Sequence, residues 1–364
     1  MGSISPAELN GGTDYSPRID HREPVKPTGV LNDFKQFDTT PVIGTEFPTA
    51  NLADWMDAPN SDELLRELAL TVSRRGVVFF RAQDDMTNER QKELASRLGL
   101  LSGKPPTSHL HIHPINNSRR GTGVDDHITA IGDQQAKEYK GVGSTFSDNF
   151  DGSRQTARLE WHSDIMWERV PCDYAILRMV KFPPSGGDTL WASGYELYDR
   201  ISPPYRKFLE SLTVTCGQKK FAEVAKRAGF DLFAGPRGAP ENVGTDLRNV
   251  HPLVRTNPVT GWKSIFAVGV HVEQVNGLSE LESEHLKDVF LRLIMENHDL
   301  QVRHRWVNPN DIAIWDNRSV FHAATLDHQG GRSGFRATGL GERPYFDPES
   351  SSRRQALREA GETR

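Results

Sequence analysis

Trp161-His162-Ser163-Asp164 is the stretch on which the reading of this 364-residue chain turns. Alternate residues of an extended strand point to the same face, so an H-x-D triplet at a strand end presents an imidazole and a carboxylate together. A second histidine from elsewhere in the chain would complete a 2-His-1-carboxylate triad. Such a triad fills three positions of an octahedron and leaves three open for other ligands. Alone, the triplet carries little weight. Short His/Asp patterns arise by chance, and such residues are ordinarily surface or hydrogen-bonded groups.

The surroundings add that weight. Ser185-Gly186-Gly187-Asp188-Thr189-Leu190-Trp191 follows at short range. Asn310-Asp311-Ile312-Ala313-Ile314-Trp315-Asp316-Asn317-Arg318 comes next, then Phe321-His322, Gly331-Arg332 and Phe335-Arg336-Ala337-Thr338. In order and spacing these motifs resemble the taurine dioxygenase (TauD/TfdA) family, over roughly three quarters of the chain, from about Val77 to Pro344. The resemblance implies an α+β, mainly β fold: a double-stranded β-helix (jelly roll) core decorated with helices. It implies iron(II) held by His162, Asp164 and His322, with 2-oxoglutarate as co-substrate and O2 as oxidant. Thr189 and Arg332 fall on the pair that binds the far carboxylate of 2-oxoglutarate. This is chemically apt, because a guanidinium offers a carboxylate paired donors and a fixed charge. Gly186 and Gly187 read as a tight turn that brings Thr189 inward.

On the substrate side, the resemblance places Arg336 on an acidic handle and His113, in His111-Ile112-His113-Pro114, on a contact position. Two departures bear on which acid is held. An asparagine expected four residues before the first ligand is Arg158, and an aromatic expected three after His113 is Asn116. The expected substrate is therefore a small organic anion, a sulfonate or amino-acid-like carboxylate ahead of taurine itself. An unactivated C–H bond is oxidised and succinate and CO2 are released. Desaturation or oxidative ring closure is an alternative outcome of the same oxidant. His109, His111 and His113 are not read as a second metal site. His251 is assigned a structural role, and Trp161, Trp191 and Trp315 core or pocket-wall packing.

Composition bounds the rest. Hydrophobic residues are 36%, and the 31 glycines bring the apolar total to about 45%, ordinary for a globular protein. The net charge of −5 gives no pull towards nucleic acid or anionic membrane. No run of about 18 apolar residues is present, so no span is expected. Met1–Asn10 does not read as a secretory signal. Two cysteines, Cys172 and Cys216, suit a reducing compartment, and a cytoplasmic location is expected. The chain divides into a polar arm, 1–40, flexible or wrapping; one catalytic domain, 41–348; and a charged tail, 349–364, read as a frayed helix. The polar stretch 134–156 reads as a lid. The resemblance also implies a homodimer or tetramer.

Hydrophobic spacing predicts a helix from Ser61 through Leu64, Leu65, Leu68 and Val72, then a buried strand at Val77–Phe80. A second helix starts at Thr87 and is expected to stop at Gly99. Strands are expected at Tyr174–Val180, Asp188–Ala192, Leu212–Cys216, Val254, Ile265–Ala267, Gln301–His304, Asp311–Trp315 and Arg336–Gly339, with helices near 194–201, 203–211 and 280–297. Two other function classes fit a bare triad. One is a zinc hydrolase, which needs a general base near a metal-bound water rather than an anion clamp. The other is a non-catalytic jelly-roll binding protein, which would not need all three ligands.

Overall fold

The computed structural model describes residues 23–120, 125–132, 158–325, 327–328 and 330–362. In chain order its strands are β1 (Phe37–Asp38), β2 (Thr45–Phe47), β3 (Val77–Phe80), β4 (Ile128–Gly132), β5 (Cys172–Lys181), β6 (Thr189–Ser193), β7 (Thr213–Gly217), β8 (Arg248–Pro252), β9 (Val254–Asn257), β10 (Trp262–Ile265), β11 (Val272–Val275), β12 (Gln301–His304), β13 (Asp311–Asp316), β14 (Val320–Ala324) and β15 (Ser333–Leu340). A seven-stranded sheet has the order β1-β2-β3-β13-β5-β15-β4, and a three-stranded sheet the order β12-β6-β14. Two smaller sheets, β11-β7-β8 and β10-β9, complete the set.

Period-two burial shows how the layers stack. In β3, Val77 and Phe79 join the cluster that also contains Ala175, Leu177, Ala313 and Trp315 of the large sheet, and Trp191, Val302 and Val320 of the three-stranded sheet. That cluster is the seam between the two sheets. Val78 and Phe80 face the opposite way, into a cluster with Leu64, Leu65, Leu68 and Val72 of the helix Ser61–Arg75 and with Leu94 and Leu98 of the helix Asn88–Leu101. On the far side of the three-stranded sheet, Ala192, Phe321 and Ala323 pack against Val214, Val272 and the helix Glu280–Met295, through Leu286, Phe290 and Ile294. All three clusters are sealed, with most members under 5% exposed.

Several elements differ from expectation. Gly99 does not end its helix, which runs on to Leu101. A Cβ at Gly99 would lie 2.6 Å from Asp173 Oδ2 and from Lys104 Cδ, so the glycine serves close packing. Strand β10 stops at Ile265, short of Phe266-Ala267. The His109–His113 segment makes a single bridge, Leu110 to Gly339, and no strand. The H-x-D triplet is not at the end of a strand either. His162 forms an isolated bridge, and the backbone turns at Ile165, whose φ is +49°. Strands β1, β2, β4, β8, β11 and β14 and the helices Leu52–Asp57 and Lys220–Ala228 were not expected.

Of the arm placed at 1–40, residues 23–40 are described, and they are fastened to the body. Val25 N–H donates to Val259 O, Thr28 N–H to Glu67 Oε2 at 2.8 Å, and β1 pairs with β2. The tail forms the helix Arg353–Glu359, capped by Ser352, with Leu357 against Tyr195 and Trp262. Residues 134–156, read as a lid, lie outside the described residues. No helix among the described residues is long and apolar enough to cross a membrane.

Candidate metal centre

The side chains that matter project from the inner faces of the two sheets. In β14, Val320 and His322 face the seam while Phe321 and Ala323 face away. In β6, Thr189 shares a face with the seam residue Trp191. In β15, Phe335 and Ala337 belong to the helix side, so Arg336 points inward with Leu340. One alternation rule on three strands thus delivers a ligand, a hydroxyl and a cation to one space.

His162 joins them through a backbone clasp on the free edge of β14. His162 N–H donates to His322 O at 3.0 Å, and His322 N–H donates to His162 O at 2.8 Å. The two rings lie 4.2 Å apart between centroids. Glu160 O lies 2.7 Å from His162 Nδ1. A carbonyl only accepts, so the proton sits on Nδ1 and the Nε2 lone pair is free. Asp164 is placed by Asn317, whose Oδ1 accepts the Asp164 N–H at 2.8 Å while its Nδ2 donates to Asp164 O at 3.0 Å. Ser163, between the two ligands, donates to Val320 O and fixes the loop. Gly269, at φ +103°, lets a neighbouring loop pass against this segment. A Cβ there would lie 2.1 Å from Trp161 O and 2.8 Å from His162 Cα.

Ligand atoms of His162, Asp164 and His322 lie within 4.8 Å of one another, the only such group among the described residues. Asp164 Oδ1 is 3.9 Å from His162 Nε2 and 3.8 Å from His322 Nε2. Asp164 Oδ2 and His322 Nδ1 are buried without hydrogen-bond partners. Burial opposes ionisation of Asp164, but Arg336 and then the two histidines outweigh it and hold its pKa down at about 2. Burial, then His162, keeps His322 neutral by pushing it well below the usual histidine range. Two imidazoles and an ionised carboxylate converging on one point are the donor set a borderline-hard divalent metal such as iron(II) takes. The residues present fit the metal.

Beside it, Arg332 Nη2 donates to Thr189 Oγ1 at 3.1 Å and Arg332 Nε to Gly187 O at 2.8 Å. Gly187, at φ +68°, lies against Pro183 and His328. Trp306 Nε1–H also points at Thr189 Oγ1, at 3.2 Å. Arg336 Nη1 contacts Asp164 Oδ1 at 2.8 Å, and its Nε is buried without a partner.

The remaining expected residues sort themselves by contact. His113 is buried, and its Nδ1 accepts from the N–H groups of Ile115 and Asn116 at 3.1 and 3.2 Å, leaving Nε2 to carry the proton. Its ring lies 5.3 Å from Phe221 and 6.5 Å from Trp167. The Asn116 backbone N–H is thus one of the groups that fix the His113 ring. Arg158 Nη2 donates to Asp288 Oδ1 at 2.6 Å, on the helix Glu280–Met295. His111 is held by Glu168, which also takes Arg237 through both oxygens. His251 Nε2 donates to Met166 O at 2.8 Å in a structural contact. Three contributors escaped the sequence reading: Asn317, Trp306, and His271, whose ring stands perpendicular to His162 at 5.7 Å with Gln218 on its Nδ1. Asn317 lay within a quoted motif but nothing local distinguished it. His271 and Trp306 carry no local signal at all.

Two facing sheets enclosing a His-Asp-His centre, with a buried arginine clamp beside it, define a non-haem iron oxygenase. Residues 35–338 match the Taurine catabolism dioxygenase TauD, TfdA family, and the chain belongs to that family. It is 54% identical over 345 residues to the alpha-ketoglutarate-dependent dioxygenase btcD of Neocamarosporium betae, covering 92% of this chain and 98% of that one. It is 34% identical to an alpha-ketoglutarate-dependent sulfonate dioxygenase of Saccharomyces cerevisiae, covering 85% of this chain and 67% of that one. A crystal structure of a taurine dioxygenase from Burkholderia xenovorans superposes with TM-score 0.61 at 22% identity, covering 87% and 92% of the two chains. The protein is an iron(II)- and 2-oxoglutarate-dependent dioxygenase.

Proposed function

We propose that this dioxygenase oxidises an unactivated C–H bond of a small anionic substrate, a sulfonate or amino-acid-like carboxylate, within a jelly-roll core formed by the two facing sheets. The observation that carries it is Arg336. Its guanidinium reaches the ligand Asp164 and keeps a buried Nε without an acceptor, so an acidic group entering beside the metal meets a ready charge-assisted donor. The yeast relative, named for sulfonates, is consistent with that handle.

His162, Asp164 and His322 hold the iron in this reading. With O2 and 2-oxoglutarate bound, iron supplies the oxidising chemistry. The protein supplies position. Arg332 and the Thr189 hydroxyl grip the far carboxylate of 2-oxoglutarate, and Trp306 orients that hydroxyl. Arg336 and the Nε2–H of His113 hold the substrate's acid so that one C–H faces the metal, which is where orientation contributes most to rate. The seam residues Trp191 and Trp315 keep water from the space behind the ligands.

The test is succinate release from the iron-loaded enzyme with a panel of alkyl sulfonates, alkyl sulfates, amino acids and their neutral amides or alcohols. Acids are expected to stimulate turnover and neutral analogues are not. Arg336→Gln should raise KM for the acid while leaving 2-oxoglutarate binding intact. Equal stimulation by neutral analogues would overturn the anionic-substrate reading.

A further inference from the structure

Outside the metal centre, Arg353 is a buried guanidinium that meets the charges of Glu196 and Asp199 only through space. Arg353 is 4% exposed, and no hydrogen bond or ion pair to it is found among the described residues; its Nε is sealed from solvent without an acceptor. A guanidinium does not deprotonate in a protein, so the charge remains. A buried charge left unpaired is costly, and a native orphan of this kind calls for an ion or ligand that satisfies it. The nearest carboxylates are committed elsewhere. Glu196 takes Arg200 and Arg354, and Asp199 takes the Arg206 side chain and the Arg354 N–H.

Arg353 lines a cleft of about 400 Å³ together with Arg74, Arg75, Asn32, Gln36 and Trp262. The cleft lies between the 27–41 segment, the end of the helix Ser61–Arg75 and the helix Arg353–Glu359, and it shares no residue with the metal centre. Arg75 has spent its donors on Thr40 O, Pro41 O, Gly44 O and Thr45 Oγ1. Burial, followed by the charges of Arg353 and Arg74, lowers Arg75 to about 10 despite Asp38. Arg74 lies 5.7 Å from the Trp262 ring centroid and pairs with the Glu362 carboxylate, which shows what chemistry this wall accepts. Asp38 and Glu67 also line the cleft. Asp38 is paired with Arg75 and accepts from Thr45, and Glu67 accepts the N–H groups of Thr28 and Gly29, so neither reaches Arg353.

We propose that this cleft is a second ligand site, binding a small multivalent oxyanion of the phosphate or polycarboxylate kind on Arg353 and Arg74. Occupancy would tie the N-terminal segment and the C-terminal helix to one ligand.

The full chain is titrated with inorganic phosphate and with citrate against chloride at matched ionic strength, reading unfolding temperature and calorimetric affinity. The proposal expects a rise of about 2 °C at roughly ten times Kd. The rise persists in Arg332→Ala, which removes the candidate 2-oxoglutarate clamp, while Arg353→Gln weakens binding at least about tenfold, roughly the loss of one charge-assisted contact. Phosphate and citrate arms distinguish the two sources of anion. An effect equalled by chloride, or one lost in Arg332→Ala and kept in Arg353→Gln, overturns the site. Should Arg353→Gln fail to fold, hydrogen exchange on the unaltered protein decides: added anion protects 353–359 and 70–75, or the proposal fails.

Discussion

Asn317 holds Asp164 by both ends of one residue's backbone, accepting its N–H and donating to its C=O. The carboxylate is thereby aimed without spending either of its own oxygens. Asn317 is itself fully buried, and its N–H donates to Asp173 O at 2.7 Å.

Removing this grip should loosen the proposed metal ligand while leaving the sheets standing. Asn317→Ala is expected to weaken iron(II) binding about 10- to 100-fold, the range for partners that orient ligands. Anaerobic iron titration reads this, with thermal unfolding of the metal-free protein as the control. Unchanged affinity would remove Asn317 from the list of positioning residues.

Trp306 is a sharper test of the co-substrate clamp, because the one hydrogen bond its indole N–H makes among the described residues is to the Thr189 hydroxyl. Trp306→Phe keeps the ring's bulk and deletes one donor. A single neutral hydrogen bond is worth about 1 kcal/mol, so 2-oxoglutarate should bind about fivefold more weakly. Anaerobic titration of the iron form by visible absorption measures it, and Arg332→Ala should cost considerably more.

Gly269 has no room for a methyl group, because the atoms it would strike are backbone atoms of Trp161 and His162. Gly269→Ala should lower metal-free stability by about 2 kcal/mol or more through strain at positive φ and displacement of the His162 segment. Iron affinity should fall with it. Chemical unfolding at pH 7 checks the first effect. A loss under about 0.5 kcal/mol would mean the loop simply moves aside.

Acid should destabilise this protein from the histidine range downward. Burial lowers His304 to about 3, and burial lowers His251 to about 4. Unfolding returns each to about 6.5, so below that pH the unfolded chain binds more protons and stability falls. The loss is about 1.4 kcal/mol per pH unit for each group, running from 6.5 down to about 3 for His304 and about 4 for His251. His304 stacks on Phe79 at 4.0 Å, and its Nε2 is buried without a partner. His304→Phe should therefore flatten the decline between pH 6.5 and 5. An unaltered slope in denaturant melts across that range would be the contrary result.

Residue types were far more legible than the backbone that presents them. His162, Asp164, His322, Thr189, Arg332 and Arg336 could all be named from their motifs, and the structure brings these six together. The reason expected for the H-x-D triplet, alternation along one strand, does not hold there; alternation instead orients His322, Thr189 and Arg336, each on a strand of its own. Asp164 stands on a turn held by Asn317, a contact spanning 153 residues that no local pattern encodes. The same limit hid β14. Val320–Ala324 is short and becomes a strand by pairing with β6, from which it is separated by more than a hundred residues. Gly99 misled for a related reason: its missing side chain answers to Asp173 and Lys104, not to the helix in which it sits.

The clasp between His162 and His322 also sets an order of events during synthesis. A ribosome that has released only the H-x-D segment has made a peptide with two ligands and no edge strand to dock on. A further 158 residues, from Ile165 to His322, must emerge before the partner backbone exists. Selective occupation at this site therefore waits for nearly the whole chain, and a truncated product ending before His322 lacks both the third ligand and the scaffold that squares up the first.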